Sequence, residues 1–253
     1  LAGCSSTKPK PYVEHPVDQL YNSALDTLNS GQYQKAAKDF DDVEREHPYS
    51  VWATKAELMA AFAYYEGNKY DDAILAAQRY TQLHPGDKDV AYAYYLIAIC
   101  YYEQITDVQR DQKITTQALA ALREVVRRFP DTAYARDARL KIDLARDHLA
   151  GKEMSVGRYY LDRGDYTAAI NRFRVVVVRY QTTTQVPEAL ERLTECYLAL
   201  GIVDEARTAA AVLGANYPAS TWYRHAYTLL TGRNLTPKAD KGSWISRAFT
   251  SVF

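Results

Sequence analysis

The side chains able to do chemistry are few, and their spacing does not suit catalysis. Five histidines stand at 15, 47, 84, 148 and 225, and no two have the spacing of a metal-ligand pair. No Ser/His/Asp or Cys/His set can be assembled from the order of residues. No glycine-rich loop follows a strand pattern, so nothing cradles a phosphate. The carboxylate pairs Asp41–Asp42 and Asp71–Asp72 fall on helical stretches where a solvated face accounts for them. The chain therefore reads as a non-enzyme with no metal site and no dissociable cofactor. Among three cysteines, Cys100 and Cys196 occupy equivalent positions in different helical segments and read as small core residues. Cys4 is the remaining thiol, and the chemistry its surroundings suggest is acylation.

Cys4 is preceded by Leu1, Ala2 and Gly3 and followed by Ser5. An aliphatic residue, two small residues and a cysteine resemble a bacterial lipobox, whose cysteine receives a diacylglyceryl group before the amine is acylated. Ser5 is compatible with export to the outer membrane. Residues 5–16 are polar and proline-bearing and read as a tether between a lipid anchor and a folded part. The alternative is an ordinary N-terminus with a chance cysteine. Each buried CH₂ of an acyl chain contributes about 0.8 kcal/mol, so several chains on one cysteine hold a protein at a membrane. No run of apolar residues is long enough for a transmembrane helix.

The elements behind these residues are written as a repeat. Gly31, Tyr33, Ala36, Phe40, Val43 and Pro48 place a helix stop, a small residue for close approach, an apolar face at i+4 and i+7, and a second stop. This is the tetratricopeptide pattern of about 34 residues, two helices and a tight turn. A second copy has Ala61, Tyr64, Gly67, Tyr70, Ala73, Ala77, Tyr80 and Pro85, with Gly67 one residue early and hence a slightly longer turn expected. The third has Tyr94, Ala98, Tyr101, a polar insertion over 106–116, then Ala118, Leu122, Val125 and Pro130. The motif returns at Gly164, Tyr166, Ala169, Phe173 and Val176, and again at Leu190, Leu193, Tyr197, Gly201, Ala206, Ala210 and Leu213.

Between Pro130 and Gly164 lies half a repeat too much chain, with only Gly151 and Gly157 to weaken a helix, by about 1 kcal/mol each. One helix of about 30 residues is expected there, spanning roughly 45 Å. The fold class is therefore all-α, an α-solenoid of five repeats with a long helix joining repeats 1–3 to repeats 4–5. The expected organisation is a tether at 1–16, an N-terminal repeat group at 17–132, the long helix at 133–163, and a C-terminal group at 150–233 with a capping helix at 221–230. A tail follows at 234–253, where Trp244, Ile245, Ala248, Phe249, Val252 and Phe253 make a short amphipathic helix. Such a helix orders only against something else: its own repeats, a partner protein or a membrane surface.

Lysine plus arginine number 31 and aspartate plus glutamate 31, which argues against bulk attraction to nucleic acid or anionic lipid. Twenty-two tyrosines are unusual; they read either as filling the aromatic repeat positions or, in part, as lining an exposed peptide groove. Stacked helix pairs line a concave face with their first helices and take up peptide segments there. Tyr64, Tyr65, Tyr94, Tyr95, Tyr101 and Tyr102 are candidates for that lining, though neighbours about 100° apart cannot all face it.

Lipobox, tether, five repeats and long helix together resemble the BamD family, lipoproteins of the outer-membrane β-barrel assembly machine of Gram-negative bacteria. The match rests on Leu1-Ala2-Gly3-Cys4, on His47-Pro48-Tyr49-Ser50 with Trp52-Ala53, on Tyr64-Tyr65, and on Ser155-Val156, Tyr159-Tyr160, Arg163-Gly164 and Asn171-Arg172. It covers residues 1 to about 230. The resemblance implies a scaffold without catalytic activity, on the periplasmic face of the outer membrane, held by lipid on Cys4. It implies that the C-terminal repeats dock on the periplasmic part of BamA, with Arg172 pairing to an acidic residue there and its guanidinium free to do so. It implies unfolded outer-membrane proteins as substrates of the N-terminal repeats, with Tyr49, Trp52, Tyr64 and Tyr65 as candidate contacts, and other Bam lipoproteins as further partners. The insertion at 106–116 and the aromatic tail depart from the family pattern. A pilotin, a cell-division adaptor or an envelope enzyme with a repeat domain are the competing readings.

Overall fold

The structure is a computed structural model and describes residues 15–108 and 110–250. Twelve helices account for the described residues, and no strand occurs among them. They are α1 (Val17–Asn29), α2 (Tyr33–Glu46), α3 (Val51–Glu66), α4 (Tyr70–Leu83), α5 (Val90–Glu103), α6 (Lys113–Arg128), α7 (Ala133–Asp162), α8 (Tyr166–Arg179), α9 (Val186–Ala199), α10 (Val203–Asn216), α11 (Thr221–Thr231) and α12 (Trp244–Thr250). The packing divides the chain into two compact units between Tyr101 and Tyr102. This is the helix–turn–helix repeat fold that the sequence pattern implies.

The turns α1–α2, α3–α4, α7–α8 and α9–α10 are each made by three residues whose middle member has positive φ, whereas α5 and α6 are joined by the longer segment 104–112. Gly31 (78°), Gly164 (76°) and Gly201 (73°) take it where glycine has no Cβ to clash. Between α3 and α4 the middle residue is Asn68, at φ 56°. Asparagine tolerates this conformation, so the turn keeps three residues and is not lengthened as the early glycine suggested. Gly67 serves packing instead, since a Cβ there would lie 3.1 Å from Tyr33 Cβ. Three of the repeat boundaries are capped from side chains. Ser50, Thr132 and Ser220 accept hydrogen bonds from the N–H of Ala53, Ala135 and Trp222, at 3.1 Å each, opening α3, α7 and α11.

In the N-terminal unit the small and aromatic repeat positions form the core. Ala36, Phe40 and Val43 of α2 meet Ala24 of α1 and Ala56, Ala60 and Ala63 of α3. A second cluster joins Ala61, Ala73, Ile74 and Ala77 to Leu96, Ile97 and Cys100 of α5.

In the C-terminal unit α7 runs 30 residues without a break. It packs on α6 and α8, burying Ala135, Ala138, Ala145, Ala150, Met154 and Gly157. The core continues through Phe173, Leu190, Leu193, Cys196 and Leu213. The tail folds back on this unit. Lys238 N donates to Arg207 O (3.2 Å), Ser243 Oγ to Glu205 (2.6 Å) and Trp244 Nε1 to the Tyr197 hydroxyl (3.0 Å). Ile245 is fully buried and Phe249 nearly so against α8 and α10, while the Arg174 guanidinium covers the Trp244 ring at 4.8 Å. Of the three surfaces open to the tail, its own repeats supply the one it uses.

Candidate functional site

The N-terminal unit holds a cleft of about 370 Å³ beside the first turns of α3. Its apolar lining is Tyr21, Leu58, Met59 and Tyr80, and Lys55, Asp87 and Lys88 charge its rim. The Tyr80 hydroxyl donates to Asp87 Oδ1 at 2.8 Å, and the Asp89 N–H donates to the same oxygen at 2.8 Å. The Asp89 N–H, and then the Tyr80 hydroxyl, hold the Asp87 carboxyl below the usual carboxylate range. Burial, and then the bond to Asp87, push the Tyr80 hydroxyl up. Lys88 stands 3.8 Å from Asp89. Lys55 pairs with no carboxylate among the described residues, and its ammonium lies over the Trp52 ring at 5.1 Å.

None of the four candidate aromatics lines this cleft, but two flank it. Trp52 packs on the lining residue Tyr21, ring centroids 4.8 Å apart. Tyr49, one residue before the Ser50 cap, is wholly exposed, and Val51 beside it is 77% exposed. Tyr64 and Tyr65 sit at the far end of α3, about 18 Å away at 1.5 Å per residue. Burial, and then the nearby Asp41 and Asp72 carboxylates, push the Tyr64 hydroxyl up. Tyr65 packs against Phe62 and Tyr70, at 6.5 and 6.1 Å. The structure therefore places Tyr49 and Trp52 next to the cleft but not in its lining, and leaves Tyr64 and Tyr65 in a separate inter-helix packing.

In the C-terminal unit Arg172 lies on α8 with its side chain 45% exposed, and its Nη1 donates to Glu153 Oε2 of α7 at 3.3 Å. The guanidinium is therefore not free, as the sequence suggested, but already holds one carboxylate. Cys4 lies outside the described residues. Cys100 and Cys196 are buried, and burial pushes the Cys196 thiol up to about 12. Among the described residues no group of histidine, cysteine and carboxylate side chains could hold a metal ion, and no helix is long and apolar enough to cross a membrane.

A family model described as an outer membrane lipoprotein, YfiO, matches residues 13–213. The outer membrane protein assembly factor BamD of Caulobacter vibrioides is 51% identical over 243 residues, covering 95% of this chain and 80% of that protein. The chain belongs to the BamD family. The BamD of Rickettsia prowazekii is 44% identical over 91% of this chain and 92% of its own length. Among solved structures, the TPR2AB domain of yeast Sti1 aligns with a TM-score of 0.45 and 12% identity over 86% of this chain and 84% of that one.

In this BamD-family chain the cleft residues that sequence reasoning missed are Tyr21, Lys55, Tyr80, Asp87 and Lys88. One signal for them was present. His84-Pro85 repeats the His47-Pro48 of the preceding boundary, so Gly86, Asp87 and Lys88 occupy the positions equivalent to Tyr49, Ser50 and Val51. Tyr80 was legible only as a core position, since nothing in the order of residues says that its ring forms a cleft wall.

Proposed function

We propose that this BamD-family chain is a non-enzymatic scaffold for outer-membrane protein assembly. In this reading Cys4 carries the lipid that holds it at the periplasmic face of the outer membrane. The Arg172 side of α8 docks on the periplasmic domains of BamA. The cleft at the start of α3 takes a segment of an unfolded outer-membrane protein. The observation that carries the reading is the cleft itself: apolar walls from Tyr21, Val51, Leu58, Met59 and Tyr80, exposed Tyr49 beside it, and an ammonium at Lys55 that pairs with no carboxylate among the described residues. Such a site suits an apolar or aromatic segment that carries negative charge.

The test is binding of the chain to purified BamA periplasmic domains, wild type beside Arg172→Glu. Arg172 already sits beside an acid, so a second carboxylate from BamA can share its fork of donors. Charge reversal is expected to weaken binding by about 2 kcal/mol, roughly thirtyfold. No binding by wild type would sink the assembly reading. Binding that ignores the reversal would keep the function and remove Arg172 from the interface.

A further inference from the structure

A charge ladder crosses three helices of the C-terminal unit, away from the Arg172–Glu153 pair. Arg158 Nη1 of α7 donates to Glu188 Oε1 of α9 at 2.9 Å. Arg192 of α9 reaches Glu188 at 3.7 Å, Glu191 at 3.4 Å and Glu195 at 2.9 Å. Its guanidinium covers the Trp222 ring of α11 at 5.5 Å, and His225 stands edge-on to that ring. Three carboxylates are thus served by two guanidinium groups. Glu191 is 3% exposed, and its Oε2 has no hydrogen-bond partner. Arg192 Nε, 3.4 Å from it, has none either. The two charges attract, but they are not aligned to bond. A buried carboxylate in that state costs stability unless something completes it.

We propose that this ladder receives a basic side chain from a partner protein, an arginine or lysine that completes the carboxylates of Glu191 and Glu195 beside Trp222. Three observations support it. With Glu191 ionised, the ladder sets three carboxylates against two guanidinium groups. Its buried acid has an unfilled acceptor. Its helices are the first helices of successive repeats, the face that helical-repeat proteins use for ligands. The polarity is opposite to the Arg172 contact, where this chain supplies the cation, so the two sites fit different partner surfaces.

Proton linkage follows from the same geometry. Burial, with Glu195 and Glu188 adding and Arg192 opposing, raises the Glu191 carboxyl to about 7. The charges on it come from α9 itself, with Arg158 of α7 and His225 of α11 at the ladder's ends. An arriving cation favours the ionised acid, so binding tightens as pH rises through that midpoint.

The experiment uses the full chain and a short acetylated peptide, Leu-Arg-Leu amide, with its citrulline counterpart as the neutral isostere. The Trp222 indole N–H signal reports binding at pH 5.5 and pH 8. The arginine peptide should bind about thirtyfold tighter at pH 8, the ratio of ionised Glu191 at the two values. The citrulline peptide should show no such change. Glu191→Gln should abolish the pH effect, while His225→Gln should retain it. Glu195→Gln, at a more exposed position, should weaken binding without risk to the fold. Equal response to the citrulline peptide, or one affinity at both pH values, would overturn the proposal. So would loss of the pH effect in His225→Gln.

Discussion

Two glycines six residues apart in α7 should respond to the same substitution with opposite sign. Both lose backbone entropy in a helix interior, and alanine there is worth roughly 1 kcal/mol. At Gly151 a Cβ would meet only Val108 Cγ1 at 3.5 Å, an ordinary contact, so Gly151→Ala should stabilise by about 0.5–1 kcal/mol. At Gly157 the added carbon would lie 2.8 Å from Phe173 Cδ1 and Cζ, and closer still to Cε1. Carbon atoms rest about 3.5–4.0 Å apart. Phe173 is fully buried among Met154, Val176 and Leu190, so its ring has no open space to enter. Overpacking of this kind costs roughly 1–3 kcal/mol. Subtracting the propensity gain leaves Gly157→Ala destabilised by up to about 2 kcal/mol, so the two variants should differ by about 1–3 kcal/mol. Urea unfolding at equal m-value measures this directly. Combining Gly157→Ala with Phe173→Leu should recover part of the loss as a coupling energy. If Gly157→Ala stabilised as Gly151→Ala does, Phe173 would not pack on α7 as described.

Two further outcomes follow from burial. The Glu191 carboxyl titrates near 7 in the fold against about 4.5 in the unfolded chain. Its folded value is raised, so its contribution to stability is complete below about 4.5 and lost as pH rises through 7, up to about 3 kcal/mol. Glu191→Gln should therefore flatten the decline in urea midpoint between pH 5 and pH 8; an unchanged slope would locate the titration elsewhere. Ile245→Ala removes a fully buried side chain from a seven-residue helix that has no stability alone. It should cost about 2–4 kcal/mol, and amide exchange should quicken over 244–250 while α9 stays protected. Unchanged protection in α12 would mean that the hydrogen bonds of Ser243 and Trp244 hold the tail without Ile245.

The repeat positions were legible because backbone geometry dictates them. Phe40, Ala36, Ala169 and Phe173 are fully buried where the pattern placed them, and α7 is continuous because its two glycines weaken a helix without ending it. What sequence could not supply depends on long-range pairing. Asn68 looks like any polar turn residue until its φ is known. The apolar face of the tail shows that it needs a surface, but not that Tyr197, Glu205 and Arg174 provide one. Lys55 and Lys88 read as solvated charges, and only the fold sets them at the rim of an apolar cleft. Glu191 is the least legible case, a charged residue in a helix whose burial comes entirely from its neighbours.

The Arg172–Glu153 pair changes how a docking experiment at α8 must be read. The two side chains are 45% and 23% exposed, and pairs of that kind contribute no more than about 1 kcal/mol. A partner carboxylate can therefore join or replace Glu153 at little cost, and the pair holds the guanidinium in one orientation beforehand. Arg172→Glu does more than remove a cation. It sets a second carboxylate beside Glu153 and repels both that residue and the incoming acid. Arg172→Gln removes the cation without that repulsion. If the neutral variant loses most of the affinity that the reversal loses, the contact is an attraction to a partner carboxylate. If only the reversal acts, the loss comes from charge crowding on this chain, and Arg172 is held for α7 and not for a partner.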